Sequence, residues 1–243
     1  DMAGPLKKTT AGNSYFIIAV DHFSKFCVTK PTADATAVTT VKFLHEELIS
    51  KYGVPQAILS DQGRNYHSQA VDAFCEKYGV KKLRTTAYHP QCNGLSERTI
   101  GTLKQILACF VSKSHDDWDK LLADVTFTYN NSVHSATGYA PNEVIFGQRL
   151  ASKEDRKLSV EPLTRTTREN VLSSVKVRQD KAKKTNETQY NKSVRFDVKF
   201  EVGELVSIQN TRQRVGSVRS FEEKYLGPFI ITQRIDEVLF NCL

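Results

Sequence analysis

The apolar run Tyr15 to Val20 (YFIIAV) sets the tightest limit on this chain. It is rich in aromatic and β-branched residues and reads as a buried strand, which needs neighbours on a sheet. Lys25 to Thr32 reads as the next strand, ended by Pro31, with Asp21-His22 as the turn between the two. A turn-rich loop (KKTTAGNS) precedes Tyr15, and a first strand would end at or before Asp1.

Further along, the apolar period changes. Val38, Val41, Leu44, Leu48 and Ile49 recur at helical spacing and predict a helix over 35–52, stopped by Gly53. Short strands are expected over 57–60 and 80–85, with a helix over 68–78 between them. Residues 86–94 (TAYHPQCNG) read as a loop, followed by helices over 95–114 and 118–130, with Trp118 as core. Early strands with tight connections pair antiparallel, and later strands alternating with helices pair parallel, so a mixed α/β sheet flanked by helices follows. From Ala151 the chain turns polar, and 169–191 reads as a solvated helix within a basic linker. Apolar alternation returns after Phe196, with strands expected over 204–209 and 228–235. The expected organisation is a core over 1–150, a basic helical linker over 151–195 and the start of a small β-domain over 196–243.

The 243 residues are 40% hydrophobic and 25% charged, an ordinary globular composition. No apolar run approaches the roughly 18 residues of a membrane span, and no signal peptide opens the chain. Its abrupt ends read as those of an excerpt from something longer. Five cysteines (Cys27, Cys75, Cys92, Cys109, Cys242) include no C-x-x-C pair, and the six histidines are scattered. A disulfide framework and a cysteine-rich zinc site are therefore not expected, and a reducing compartment is. Net charge is +7, of which residues 1–150 carry +2 and residues 151–243 carry +5, a distribution that suits a polyanionic partner.

Three carboxylates stand at the ends of elements. Asp61 follows the strand 57–60, at the edge where ligand sites gather in open α/β sheets. Glu97 lies in the first turn of a long helix, and Asp1 would close the first strand. Singly, each has a plain structural use: an Asp after a strand favours a turn, and a Glu in a first helical turn favours the dipole. Together they make an oxygen-rich site for Mg²⁺ or Mn²⁺ and for in-line phosphoryl transfer.

Thirty-five residues lie between Asp61 and Glu97, the first set in Ser60-Asp61-Gln62-Gly63 and the second in Tyr88-His89-Pro90-Gln91-Cys92-Asn93-Gly94-Leu95-Ser96-Glu97-Arg98. This resembles the D,D-35-E core of retroviral and long-terminal-repeat retrotransposon integrases. The likeness continues through Asp1-x-x-Gly4-Pro5, Gly12-Asn13-x-Tyr15, Val20-Asp21-x-Phe23-Ser24-Lys25, Tyr129-Asn130-Asn131, Pro141 and Phe146-Gly147. In the tail, Phe200-x-Val202-Gly203-Glu204-Leu205-Val206 and Lys224-Tyr225-Leu226-Gly227-Pro228-Phe229 look like the GPY/F-type module of gypsy-like integrases.

The resemblance implies an RNase H-like fold followed by a small SH3-like β-barrel. It implies Asp1, Asp61 and Glu97 as catalytic ligands of two Mg²⁺ (or Mn²⁺) ions, and two reactions, 3′-end processing and strand transfer. It also implies element and target DNA as partners, at least a dimer, contact with chromatin or a host factor, and action in the nucleus after passage through the cytoplasm. The family's N-terminal zinc domain is absent from this stretch. Leu95 stands where the family usually has Gln, and Cys92 where it has a small polar residue; neither change touches a metal ligand.

With that resemblance, further residues become candidate DNA contacts. Lys104 is two helical turns after Glu97 and shares its face. Tyr88, His89, Gln91 and Asn93 populate the loop before Glu97 and offer an aromatic face and hydrogen-bonding groups to an unpaired end. Asn65 follows Asp61 closely. Lys181, Lys183 and Lys184 belong to the basic stretch that also holds Lys176 and Arg178, and they suit phosphate contact. Asp21 reads as a turn residue. Two rivals share parts of this pattern: a host-domesticated integrase-like protein that binds without integrating, and an RNase H-type nuclease, against which the HPQ-x-NG loop and the GPF tail argue.

Overall fold

The computed structural model describes residues 1–84, 94–151, 155, 157, 167–193, 200–210, 224–234 and 240–243. Strand β2 (Tyr15–Val20) lies between two antiparallel partners. In β1 (Met2–Ala3), Met2 faces Ile17 and Ala3 faces Phe16; in β3 (Cys27–Thr32), the register runs from Thr32 opposite Tyr15 to Cys27 opposite Val20. Asp1 and Ile18 exchange backbone hydrogen bonds of 2.9 Å in both directions. This corrects the expected first strand: pairing runs forward from Asp1 through Ala3, until Gly4 (φ +146°) turns the chain. β3 starts at Cys27 because Lys25 (φ +65°) has left the extended region. Pro31 sits inside the strand, opposite Phe16, on the outer member of the ladder, where a missing N–H is tolerated.

Helix α1 (Ala37–Phe43) begins at Thr36, whose hydroxyl accepts from the Thr39 N–H at 3.3 Å. It widens into a π-helical segment (Leu44–Ile49) and closes with the single turn α2 (Ser50–Tyr52) before Gly53. β4 (Ala57–Ser60) and β5 (Lys81–Arg84) pair in parallel, from Ala57 opposite Lys81 to Ser60 opposite Arg84. Between them runs α3 (Gln69–Tyr78), capped by Ser68 and ended by left-handed Gly79. The expected mixed sheet is therefore two hydrogen-bonded ladders, a three-stranded antiparallel one and a parallel pair. Packing joins them, since Met2, Ile17 and Ile58 share one apolar cluster.

Helices α4 (Gly94–Phe110) and α5 (Trp118–Asn131) cover the other face. α4 stops short of Ser114 because the Asp117 carboxylate binds the Ser112 N–H and hydroxyl, and His115 takes φ +55°. Phe16 and Ile18 of β2 point into a cluster with Leu103, Leu107, Trp118, Leu122 and Val125. Ile17 points the opposite way, to Phe43, Leu44, Val71 and Phe74. Trp118 is core as expected, and its indole N–H donates to Lys7 O at 2.8 Å. Two side chains fasten this layer. Asn130 accepts from Cys27 N at 2.9 Å and donates to Cys27 O at 2.8 Å, while Asp119 Oδ2 accepts from Thr9 and Asn13. Burial at this seam pushes the Cys27 thiol up to about 12.

The chain divides into two compact units, Asp1–Thr185 and Asn186–Leu243. The first also contains α6 (Pro141–Phe146) and most of α7 (Arg168–Ser193). The early part of α7 is docked rather than solvated: Val171 and Val175, one turn apart, are buried against Val144, and Gln179 donates to Phe23 O at 2.7 Å. The described part of the second unit is an antiparallel meander of β6 (Leu205–Gln209), β7 (Tyr225–Arg234) and β8 (Phe240–Cys242). Among the described residues no helix is long and apolar enough to cross a membrane.

The Asn130 clamp is testable. Asn130→Ala leaves a buried N–H and a buried C=O at Cys27 unpaired, each worth about 1–3 kcal/mol. Urea unfolding should show a loss of roughly 2–5 kcal/mol, whereas Thr128→Ala, at an exposed position of the same helix, should change little.

Candidate active site

Asp1 stands at the start of β1 and Asp61 just after the end of β4. Asp1 is set by its pairing with Ile18, and its Oδ1 accepts from Met2 N at 2.7 Å. Asp61 follows β4, and its Oδ1 accepts from Gly63 N at 2.9 Å. Gly63 is required by space: a Cβ there would lie 2.8 Å from Asn65 Oδ1 and 3.0 Å from Asp61 Oδ1.

Asn65 is half-buried, and its amide donates to Thr40 Oγ1 of α1 at 3.3 Å, which braces the Asp61 turn. Tyr66 follows, with its hydroxyl buried and, among the described residues, no partner in hydrogen-bonding geometry. Burial first and the Asp61 charge second push that phenol up. Spacing gave no sign of Tyr66; an aromatic in a polar loop was the available signal.

Glu97 is exposed in the first turn of α4, and Lys104 is exposed on the same helix, two turns on. Tyr88, His89, Gln91 and Asn93 lie outside the described residues. Lys181, Lys183 and Lys184 are exposed on α7. Asp21 is the turn residue expected, its Oδ2 accepting from the Ser24 N–H and hydroxyl at 2.7 and 2.6 Å. Among the described residues no three His, Cys, Asp or Glu side chains gather as a metal-holding group. Asp1 and Asp61 nonetheless fit a hard divalent cation in donor chemistry, both being carboxylates whose Oδ1 is oriented by a following backbone N–H.

Residues 1–90 match the integrase core domain. The chain is 28% identical, over 95% of its length, to a retrovirus-related Pol polyprotein from transposon 412 of Drosophila melanogaster. It is 27% identical, over 96% of its length, to a Tf2-3 transposon polyprotein of Schizosaccharomyces pombe. It spans under a fifth of each relative, 19% and 18% respectively. A chain of the simian T-cell lymphotropic virus intasome, solved in complex with the PP2A regulatory subunit B56 gamma, superposes on 100% of this chain and 73% of its own length. The TM-score is 0.58 at 16% identity, which shows a shared fold. The chain thus resembles integrases: its first 90 residues match the core domain, nearly its whole length is similar to retrovirus-related transposon polyproteins, and the gypsy-like reading fits both relatives.

Gly63→Ala tests how Asp61 is held. The added methyl must displace Asn65 or Asp61, at a cost of about 1–3 kcal/mol. The amide of residue 63 should lose its hydrogen-bonded chemical shift and exchange faster with solvent. An unchanged amide would mean that Asp61 is held by other groups.

Proposed function

We propose that this chain is the catalytic core, basic helix and C-terminal module of an integrase that trims the 3′ ends of element DNA and joins them to target DNA. The observation that supports this reading is the Asp61 carboxylate, held by the Gly63 N–H just after β4, with thirty-five residues between it and Glu97 in the first turn of α4. The integrase core match over residues 1–90 and the polyprotein relatives support it. Asp1, Asp61 and Glu97 would hold two Mg²⁺ (or Mn²⁺) ions. Such ions, when bound, neutralise charge on the reacting phosphate and activate the oxygen nucleophile.

The chain's own residues supply position. The Met2 and Gly63 N–H groups aim the two aspartates, and Asn65 fixes the second turn to α1. Lys104 holds a DNA phosphate on the Glu97 face. The loop residues Tyr88, His89, Gln91 and Asn93 receive an unpaired end, and Lys181, Lys183 and Lys184 neutralise backbone charge. The second unit is the SH3-like module. The active form is a homo-oligomer on paired DNA ends, working in the nucleus with chromatin or a host factor.

A strand-transfer assay with oligonucleotides carrying candidate terminal sequences tests this. The parent should join DNA only with Mg²⁺ or Mn²⁺, while Asp61→Asn and Glu97→Gln should lose activity and keep the parent's melting temperature. Near-normal joining by either variant would remove the mechanism. DNA binding without joining by the parent would identify a domesticated binder.

Lys104 offers an independent check. Glu has a helix propensity similar to Lys, so Lys104→Glu should barely change stability. It should weaken end binding and joining strongly, and Lys104→Arg should be milder because charge is kept. Joining by Lys104→Glu at the parent's rate would make this a plain surface lysine.

A further inference from the structure

Lys25 carries a charge that its own turn does not use. The turn is closed without it: Lys25 N donates to Asp21 O at 2.9 Å, and Asp21 Oδ2 takes the Ser24 N–H and hydroxyl. Yet Lys25 is 8% exposed and sits at φ +65°, where an L side chain costs about 1–2 kcal/mol. Its Nζ has one acceptor among the described residues, His22 O at 2.5 Å, which leaves two N–H donors. No carboxylate of the described residues forms an ion pair with it.

Two more donors stand on elements fastened to this turn. Arg98, next to Glu97, has an exposed guanidinium in no ion pair among the described residues. His134 follows α5 and is half-buried; its Nδ1 accepts from Ala136 N at 3.2 Å, so Nε2 is the ring's donor. The three elements are fastened together. The Tyr129 ring lies 6.4 Å from His134, and its hydroxyl is 3.4 Å from Thr99, the neighbour of Arg98. Asn130 clamps Cys27, two residues after Lys25.

Electrostatics agree with this convergence. Burial, then the charges of Lys25 and Arg98, lower the His134 pKa. Burial lowers that of Lys25, Asp21 opposes the shift, and Arg98 adds to it. Asp21 is the acid that acts on Lys25, and Ser24 already occupies its Oδ2. Glu97, on the same helix turn as Arg98, is the other nearby acid in sequence.

We propose that Lys25, Arg98 and His134 form an anion subsite that holds one backbone phosphate of the nucleic-acid strand beside Glu97. Gathering partly desolvated donors without a counter-charge is unfavourable in the free protein, and a phosphate relieves it through charge-assisted hydrogen bonds. The subsite stands on the cluster itself; the identity of its anion rests on the integrase reading.

The test uses the full chain with Lys25→Met, Arg98→Gln and, as a control, the exposed Lys120→Met. Melting temperature is compared in sulfate and in chloride at matched ionic strength. The parent and the control should gain the same stability from sulfate, and the two subsite variants should gain less, keeping only the general salting-out part. DNA-end binding without divalent metal is then followed against salt. The slope of log K on log salt should fall by about 0.9 for each lost phosphate contact. Slopes and sulfate responses equal to the parent's in folded Lys25→Met overturn the proposal. If Lys25→Met fails to fold, the exposed Arg98→Gln decides by the same readouts. A sulfate response that is smaller in the variants, with a parent that binds no DNA, upholds the subsite and rejects the integrase reading.

Discussion

Burial of β2 on both of its faces is the constraint from which the arrangement of the first unit follows. Phe16, Ile17 and Ile18 are each at most 1% exposed although they point alternately to opposite sides. Each such side chain contributes about 1.5–3 kcal/mol by leaving water. One layer cannot cover both faces, so α4 and α5 close one side while α1 and α3 close the other. The hydrogen-bonding ladders follow from this packing. β1 pairs with β2 over two residues because Met2 and Ala3 each have a cluster to enter, one on either face.

That sandwich also decides where charged groups can emerge. Asp1 stands at the rim because its backbone is tied to Ile18 in the ladder. Asp61 stands there because β4 ends at Ser60 and Gly63 leaves room for the chain to fold back on the carboxylate. Each carboxylate is oriented by a backbone N–H that follows it, Met2 for Asp1 and Gly63 for Asp61. Glu97 and Lys104 are placed by helical phase alone, on the exposed side of a helix whose Leu103 and Leu107 are buried.

Periodicity made much of this readable in advance. The runs at 15–20, 57–60 and 69–78 announce their elements by pattern and by the Ser68 and Gly79 caps. Features outside periodicity were silent. A two-residue strand has no pattern, so Asp1 was taken for a strand end. The apolar docking of α7 rests on Val171 and Val175, with Leu172 beside them, among polar neighbours, too faint a stripe to separate from a solvated face. At the site, the positions of Asp61 and Glu97 were legible as a strand exit and a first helical turn. The setting of Lys25 was not, because a positive φ and a missing counter-ion are properties of three dimensions.

The seam where Asn130 grips Cys27 carries a chemical consequence. Thiolate is the form that reacts with oxidants and alkylating agents, and a thiol pushed up to about 12 supplies almost none at neutral pH. Cys27 is also 1% exposed, so neither charge state nor access favours attack. Cys109, exposed near the end of α4, is not covered in this way. Under oxidative stress, damage among these two sulfurs would fall first on the helix surface, and the junction that holds β3 to α5 would be spared.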